Sequence, residues 1–267
     1  MRSSRRELVL CGSVHNLGMS ARFYAPGAKA TGELVTLPDD ESQHLTKVLR
    51  LKAGAAVRVF NGRGAEFDAL VERVTGSASS IRLGAPRVAA PEPLVAVTLA
   101  QAVLKSDKMD DVVRDAVMMG VAAIQPIVSE RSEVSLSTLV RGRRRDRWER
   151  IAVASAKQCG RATVPDIVEQ CATGDLVRDL AAGRRPVPAL MLVEPGASSR
   201  SLPVYEAGVV ARREATVIVG PEGGWSAGEL DEASRVCRMI TLGGRTLRAD
   251  AAALVALAAL FAIWKAF

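Results

Sequence analysis

The sequence is poor in the side chains from which metal sites and imidazole-based catalytic sites are built. Its 267 residues include two histidines, His15 and His44, and four cysteines. The cysteines, at positions 11, 159, 171 and 237, lie far apart and form no CxxC pair. Zinc sites and disulfide frameworks need such residues at close spacing, and a Ser-His-Asp triad needs an available imidazole. We therefore expect reduced thiols and no metal centre.

The sequence also lacks the two commonest nucleotide-binding motifs and any run long enough to span a membrane. Neither GxGxxG nor GxxxxGK[ST] occurs. The longest apolar segment, Ala251 to Phe261 with a continuation to Trp264, is shorter than the roughly 18 apolar residues of a membrane span. The sequence therefore predicts a soluble, cytoplasmic protein.

Positive charge is in excess, since 36 Lys and Arg against 29 Asp and Glu give a net charge of +7. Such a balance favours polyanionic partners, although a solvated basic surface without a partner is nearly as common. The densest cluster has six arginines in the ten residues 141–150. Arg143, Arg144 and Arg145 within it are candidate RNA-binding residues. The alternative is a solubilising loop that places Trp148 in the core.

Changes of pattern divide the chain into three regions. We interpret residues 1–20 as a disordered extension or the product of a misassigned start, with Met19 as the alternative start. In residues 21–88, short apolar segments separated by glycines predict a small β domain. The Pro- and Ala-rich stretch 87–93 is the predicted boundary. Residues 94–267 alternate between strands and helices, which predicts an α/β domain with a mostly parallel sheet.

One amphipathic helix is predicted inside the β domain, from Glu41 to Leu51. Helical periodicity places four of its residues on the inward side: His44, Leu45, Val48 and Leu49. Lys47 and Arg50 fall on the outer side, where they are candidate RNA contacts. The alternative for both cations is a solvated helix face.

Two glycine-rich loops in residues 216–254 are the strongest local signal. A β-branched strand at 217–219 ends at Gly220-Pro221-Glu222-Gly223-Gly224, and Ser226 with Glu229 forms a capping box that begins a helix. A second strand at 239–242 ends at Gly243-Gly244 and the segment RTLRAD, which leads into an alanine-rich helix.

Both loops follow strands, so they are expected at one edge of the sheet. In open α/β sheets ligands bind at the carboxyl ends of the strands, where glycine lets a ligand approach the backbone and the next helix offers unpaired N–H groups. The alternative is two tight strand-to-helix connections without a ligand.

The loop sequences VGPEGGWSAGEL and LGGRTLRADAAAL resemble the SPOUT methyltransferases and, within them, the 16S ribosomal RNA uridine N3-methyltransferase family. The segments HLTKVLRLKAG, FNGRG, KSDKMD, SERSEV and KQCGR are similar to segments of that family and occur in the same order. The resemblance covers residues 21–264.

This resemblance implies a PUA-like RNA-binding β-barrel followed by a SPOUT α/β domain with a C-terminal trefoil knot. It also implies a homodimer whose subunits complete each other's sites, with S-adenosylmethionine held between loops 192–196, 220–224 and 242–250. The implied cofactor-binding residues are Leu192, Glu194, Gly220, Pro221, Gly223, Gly224, Leu242, Gly243 and Leu247.

The implied reaction is methyl transfer to N3 of a uridine in 16S ribosomal RNA of the small ribosomal subunit. Arg248 is the candidate cation that stabilises the uridine anion, and Asp250 or Glu222 is the candidate base. The structural alternative makes Asp250 the N-cap of the last helix. This chain has Leu-Arg-Ala-Asp-Ala at 247–251, where the family often has Leu-Arg-Thr-Glu-Thr.

Two other functions stay open at this point. One is a different SPOUT RNA methyltransferase that acts on a ribose 2′-hydroxyl or on another base. The other is a non-catalytic RNA-binding protein of ribosome assembly.

Overall fold

The computed structural model describes residues 21–75, 78–206 and 213–266. The expectation for residues 1–20 lies outside them. The strands are β1 (Arg22–Tyr24), β2 (Leu34–Thr36), β3 (Ala56–Phe60), β4 (Glu66–Arg73), β5 (Ser80–Arg87), β6 (Ala96–Ala102), β7 (Ala123–Val128), β8 (Asp166–Ile167), β9 (Cys171–Ala172), β10 (Ala189–Leu192), β11 (Leu202–Pro203), β12 (Glu214–Val219) and β13 (Arg238–Thr241). The α-helices are α1 (Asp39–Gln43), α2 (Lys108–Met119), α3 (Leu136–Arg141), α4 (Arg144–Cys159), α5 (Thr173–Ala181), α6 (Ala227–Ala233) and α7 (Ala249–Trp264).

The first five strands form a curled sheet in the order β1-β3-β4-β5-β2. β1 pairs with β3 in parallel, and the other pairings are antiparallel. Phe23, Leu45, Val59 and Ile81 are fully buried in its core. Alternating apolar residues predict β3 to β5 well, because one face of each strand packs on this core.

The helix predicted for residues 41–51 is wrong in its second half. α1 passes into a π-helical segment, His44–Val48, and there Leu45 is buried while Val48 and Leu49 are 65% and 39% exposed. A π-helical turn contains more residues than an α-helical turn, so the 3.6-residue periodicity no longer places these two side chains inside. His44 is half-buried and packs edge-on against Phe23, with ring centroids 6.1 Å apart.

The remaining strands form an eight-stranded sheet in which β11-β13-β10-β12-β6-β7-β8 are neighbours and β9 pairs with β7. Every pairing described for this sheet is parallel, which confirms the predicted sheet type. β10 lies between β12 and β13, so the carboxyl ends of these three strands meet at one edge. The predicted trefoil knot stays a prediction.

Helices cover both faces of this sheet. α2, α4 and α7 pack on one face, where Val113, Trp148 and Phe261 are buried. Leu176 of α5 and Ala233 of α6 are buried on the other. Within β12, Val217 faces the first layer and Ile218 the second. Burial on both faces explains the uninterrupted β-branched run of this strand.

Arg22 of β1 holds the curled sheet against α4. Its guanidinium makes a bidentate ion pair with Glu66 and lies 4.0 Å above the ring centroid of Phe60. It also donates to the carbonyl oxygens of Ala156 and Arg161 at 2.8 and 2.7 Å. A cation is favourable there because the carbonyl groups at the end of a helix carry partial negative charge.

No α-helix within the described ranges is long and apolar enough to cross a membrane.

Candidate active site

A cavity of about 330 Å³ opens where β10, β12 and β13 end. Three loops line the cavity, and each of them follows one of these strands. The loops meet there because the three parallel strands end at the same edge of the sheet. Seven predicted cofactor-binding residues lie on its wall: Leu192, Glu194, Gly220, Pro221, Gly224, Leu242 and Leu247. Two candidate catalytic residues, Glu222 and Arg248, also line it.

Trp225 joins the first loop to the second. Its indole Nε1 donates a 2.8 Å hydrogen bond to the backbone carbonyl oxygen of Leu192. The ring leaves no room for a side chain at Gly220, where an added Cβ would lie 3.0 Å from the indole Cε2. Glycine at this position therefore lets the ring and the loop backbone pack against each other.

The last two glycines of the second loop have different surroundings. Gly224 has φ +67°, and an added Cβ would lie 3.3 Å from a carboxylate oxygen of Glu194. Gly223 does not line the cavity. An added Cβ there would lie 3.1 Å from the Cβ of Arg131, whose guanidinium donates to the Gly223 carbonyl oxygen at 3.1 Å. The backbone of Gly223 thus approaches Arg131 closely, and its contact with the cofactor stays a prediction.

Glu222 connects the second loop to the start of α2. Its Oε1 accepts hydrogen bonds from the Lys108 ammonium at 3.1 Å and from the Lys105 backbone N–H at 3.3 Å. Burial by itself raises the pKa of Glu222. The hydrogen bonds from its own N–H, from Lys108 and from Lys105 outweigh that effect, so the pKa lies below its ordinary 4.5. The carboxyl group is therefore ionised at neutral pH.

Asp250 is not the N-cap of α7, contrary to the structural alternative. The N-cap is Arg248, and Asp250 lies in the first turn, where a carboxylate is favoured by the helix dipole. Arg248 and Asp250 form a two-bond ion pair with distances of 3.1 and 2.8 Å. The hydrogen bond from Arg248 is the main cause that lowers the pKa of Asp250. Asp250 itself does not line the cavity.

The third loop places apolar side chains and backbone beside the cavity. Leu242 and Leu247 line the wall, whereas Gly243 does not. Gly243 has φ +107°, a conformation that L side chains rarely adopt, and its missing side chain faces open space. The glycine is thus required by the turn.

The candidate RNA-binding residues lie outside this cavity. Lys47 is exposed within the π-helical segment His44–Val48, and Arg50 is exposed two residues after that segment ends. Arg143 and Arg144 lie at the start of α4, where Arg143 is exposed and Arg144 half-buried. Arg145 forms a 2.9 Å ion pair with Glu149. Trp148 is buried, as the solubilising-loop alternative also expects.

Several residues of the cavity wall were not singled out as site residues by the sequence, among them Lys108, Trp225 and, within the predicted loop 242–250, Arg245. Lys108 is far from the glycine loops in sequence and reaches them only because β6 lies beside β12. Trp225 and Arg245 directly follow the two glycine pairs, and this position next to the predicted loops could have identified them as site residues.

Two family models match the chain. One, described as an RNA methyltransferase domain, matches residues 90–261, and the other, described as an RNA methyltransferase PUA domain, matches residues 37–83. A Synechocystis protein named ribosomal RNA small subunit methyltransferase E is 29% identical over 231 residues, which are 86% of this chain and 73% of the relative.

Solved structures with a similar fold include two that hold the cofactor. That of ribosomal RNA small subunit methyltransferase E from Neisseria gonorrhoeae, bound to S-adenosyl methionine, is 28% identical with a TM-score of 0.79, and the match covers 92% of this chain and 98% of that one. That of a Legionella pneumophila protein in complex with the cofactor SAM is 30% identical with a TM-score of 0.80, and covers 91% of this chain and 97% of that one.

Proposed function

This chain belongs to the RNA methyltransferase domain family, and we propose that it transfers the methyl group of S-adenosylmethionine to N3 of a uridine in 16S ribosomal RNA. The family resemblance of the two glycine loops is confirmed by the match over residues 90–261. One observation carries the proposal: three loops after parallel strands enclose a single cavity whose wall includes Glu222, Lys108 and Arg248.

The residues of the cavity fit S-adenosylmethionine. The volume of about 330 Å³ lies within the range of about 300–1,000 Å³ that small-molecule sites occupy. Leu192, Leu242 and Leu247 supply apolar surface for an adenine ring, and the Glu194 carboxylate is available for a ribose hydroxyl or an amino group. Glycine at positions 220 and 224 leaves room for the Trp225 ring and the Glu194 carboxylate, which both line the cavity.

The residues beside the cavity fit a reaction at a weakly acidic nitrogen. When bound, the cofactor supplies an electrophilic methyl group: the N3 electron pair forms the new C–N bond, and the pair of the broken C–S bond stays on sulfur. Glu222 is the better candidate base, because it lines the cavity while Asp250 does not. Arg248 is bound in two hydrogen bonds to Asp250 and holds the third loop against the start of α7.

The chain acts as a homodimer in the cytoplasm under this proposal, and its partner is 16S ribosomal RNA or the small subunit. α7 supports the dimer, since its outward side exposes Leu254, Val255 and Ile263, each 36% exposed or more. An apolar helix face of this kind favours cover by another protein surface.

The decisive test uses small ribosomal subunits from a strain that lacks this protein. The purified chain and S-adenosylmethionine are added, and nucleosides of the 16S RNA are analysed by mass spectrometry. We expect 3-methyluridine. A 2′-O-methyl nucleoside or another methylated base would instead support a different SPOUT activity, and RNA binding without methylation would support the non-catalytic alternative.

Two variants separate the candidate bases. Glu222→Gln is expected to reduce kcat at least about tenfold, within the range for loss of a general base, with an unchanged dissociation constant for S-adenosylmethionine. Asp250→Asn is expected to keep the rate within about threefold, because the amide oxygen still accepts from Arg248 and one hydrogen bond contributes little net free energy. The reverse ranking of the two rates would make Asp250 the base.

A further inference from the structure

Lys108 projects into the cavity from a strained connection. It is the first residue of α2, and Ser106 two positions earlier has φ +51°, in the left-handed region. Such strain is uncommon for a residue other than glycine, and it is concentrated at functional sites. Lys108 lines the same cavity as the glycine loops although it comes 112 residues before Gly220.

Lys108 has unused hydrogen-bonding capacity. An ammonium group has three N–H donors, and a single partner, Glu222 Oε1 at 3.1 Å, accepts from it among the residues that the structure describes. Arg248 differs, because its Nε and one terminal nitrogen already bind both oxygens of Asp250. Lys108, unlike Arg248, therefore combines a position held by Glu222 with free donors.

The carboxylates of the site need such a cation. The pKa of Glu222 and the pKa of Asp250 both lie below their ordinary values, so each holds a proton poorly. A base of this kind removes a proton from a weakly acidic nitrogen only if the resulting anion is stabilised. Preorganised donors directed at developing charge supply that stabilisation in a partly dehydrated cavity.

We propose that Lys108 is a catalytic residue that donates a hydrogen bond to a carbonyl oxygen of the acceptor uracil as N3 loses its proton. The N3 proton passes to the Glu222 carboxylate, and the negative charge spreads onto the ring oxygens, one of which lies against the ammonium. The N3 electron pair then forms the bond to the methyl carbon of S-adenosylmethionine as the C–S bond breaks and its electron pair stays on sulfur. This inference rests on the proposed uridine methylation.

A purely structural role for the Lys108–Glu222 pair explains less. The two side chains are 35% and 26% exposed, and partly exposed ion pairs stabilise a fold little. The charged groups around Lys108 include cations and anions. The cations are Arg245 and Arg248 of the third loop and Lys105 on its own connection, and the carboxylates are Glu194, Glu222, Asp250 and the Lys105 partner Glu133. Of these carboxylates only Glu222 accepts a hydrogen bond from Lys108 among the described residues, while Asp250 is bound to Arg248 and Glu133 to Lys105, which leaves Lys108 able to meet an additional negative charge.

The test compares Lys108→Met, Lys108→Arg and the control Arg114→Met. Arg114 is an exposed cation on the same helix, paired with Asp111 and Asp115 and outside the cavity. We measure kcat for 16S RNA methylation between pH 6 and 9, the calorimetric dissociation constant for S-adenosylmethionine, and the melting temperature. RNA transcribed with 5-fluorouridine, whose N3–H is more acidic, provides a second acceptor.

Lys108→Met is expected to lower kcat by about 100-fold, as for loss of one oxyanion donor, and to shift the rise of kcat to higher pH. The loss of kcat in Lys108→Met is expected to be smaller on 5-fluorouridine RNA, and its affinity for S-adenosylmethionine is expected to stay unchanged. Lys108→Arg is expected to recover most of the wild-type kcat. Wild-type kcat in Lys108→Met, an equal deficit on both acceptors, or loss of cofactor binding would each overturn the proposal. Wild-type protein that yields no 3-methyluridine would contradict the proposed function itself, independently of Lys108.

Discussion

The indole nitrogen of Trp225 lies 2.8 Å from the backbone oxygen of Leu192, and this hydrogen bond fixes the second loop of the cavity against the first. Leu192 ends β10 and Trp225 follows the glycines after β12, so the bond closes the gap between two adjacent strand ends. The cavity wall at this edge therefore depends on one buried side-chain donor as well as on the glycines.

Trp225→Phe removes this donor and keeps an aromatic ring. The buried Leu192 carbonyl loses its indole partner, so the free energy of unfolding is expected to fall by about 1–3 kcal/mol. We also expect the affinity for S-adenosylmethionine to fall at least about tenfold. Calorimetry and denaturant unfolding measure the two effects. Trp148→Phe is the control, because it also removes an indole hydrogen bond, to Asp110 at 3.2 Å, but lies outside the cavity. Equal affinities in both variants would contradict the link between this bond and the site.

Gly220→Ala tests the tight packing of the second loop. The new methyl group meets the Trp225 ring at about 3.0 Å, and the displaced ring is expected to weaken cofactor binding at least about tenfold, with an overpacking cost of about 1–3 kcal/mol. Gly84→Ala is the matched control, since its Cβ meets the Asp68 carbonyl oxygen at the same 3.0 Å in the curled sheet. If both variants lose stability and neither loses affinity, the glycine serves folding alone.

Dimerisation is tested on the outward face of α7. Leu254→Lys with Val255→Lys places two charges on this apolar face, and we expect the double variant to sediment as a monomer of about 28.3 kDa while the wild-type chain sediments as a dimer. Val140→Lys on α3 changes a side chain that is 58% exposed and is expected to leave the dimer intact. A wild-type monomer at micromolar concentration would refute the dimer.

RNA binding by the arginine cluster is tested with the double change Arg143→Ala and Arg144→Ala. Each lost phosphate contact removes about 0.7–0.9 from the slope of log K against log salt concentration, so we expect the slope to flatten by up to about 1.4–1.8. Arg145 stays unchanged because Glu149 already pairs with it. The control changes Arg184 and Arg185, which pair with Asp179. An identical slope in both double variants would make the cluster a solvated surface.

His44 makes stability depend on pH near neutrality. Burial, followed by the charge of Lys157, lowers the pKa of His44 below 6.5, and Glu41 opposes this shift. Asp40 and Arg150 face the same groove. The unfolded chain then binds the proton more readily, so this contribution to stability is complete above pH 6.5 and falls as the pH drops from 6.5 towards the pKa of the folded state. We expect His44→Gln to reduce the loss of melting temperature between pH 7.5 and 5.5. Melting temperatures that fall equally with pH in the wild-type protein and in His44→Gln would contradict the lowered pKa of His44.

The sequence by itself determined the elements whose signals are local. β3, β12 and the capping box of Ser226 and Glu229 follow from alternation, from a β-branched run and from residues three apart, so the chain forms them largely as predicted. The glycine loops also identified the second and third walls of the cavity. The sequence signal of these loops is local as well, because a glycine indicates an unusual backbone conformation or a close contact at its own position.

Only the tertiary structure decided which distant residues meet at the cavity. The order β13-β10-β12-β6 brings Lys108 to Glu222 and Leu192 to Trp225, and no local pattern encodes that order. Packing also turned Val48 outward through a π-helical segment and directed Gly223 towards Arg131. The physical reason is the same in each case: the neighbours that fix these side chains come from other strands and loops, and their positions depend on how the whole sheet is assembled.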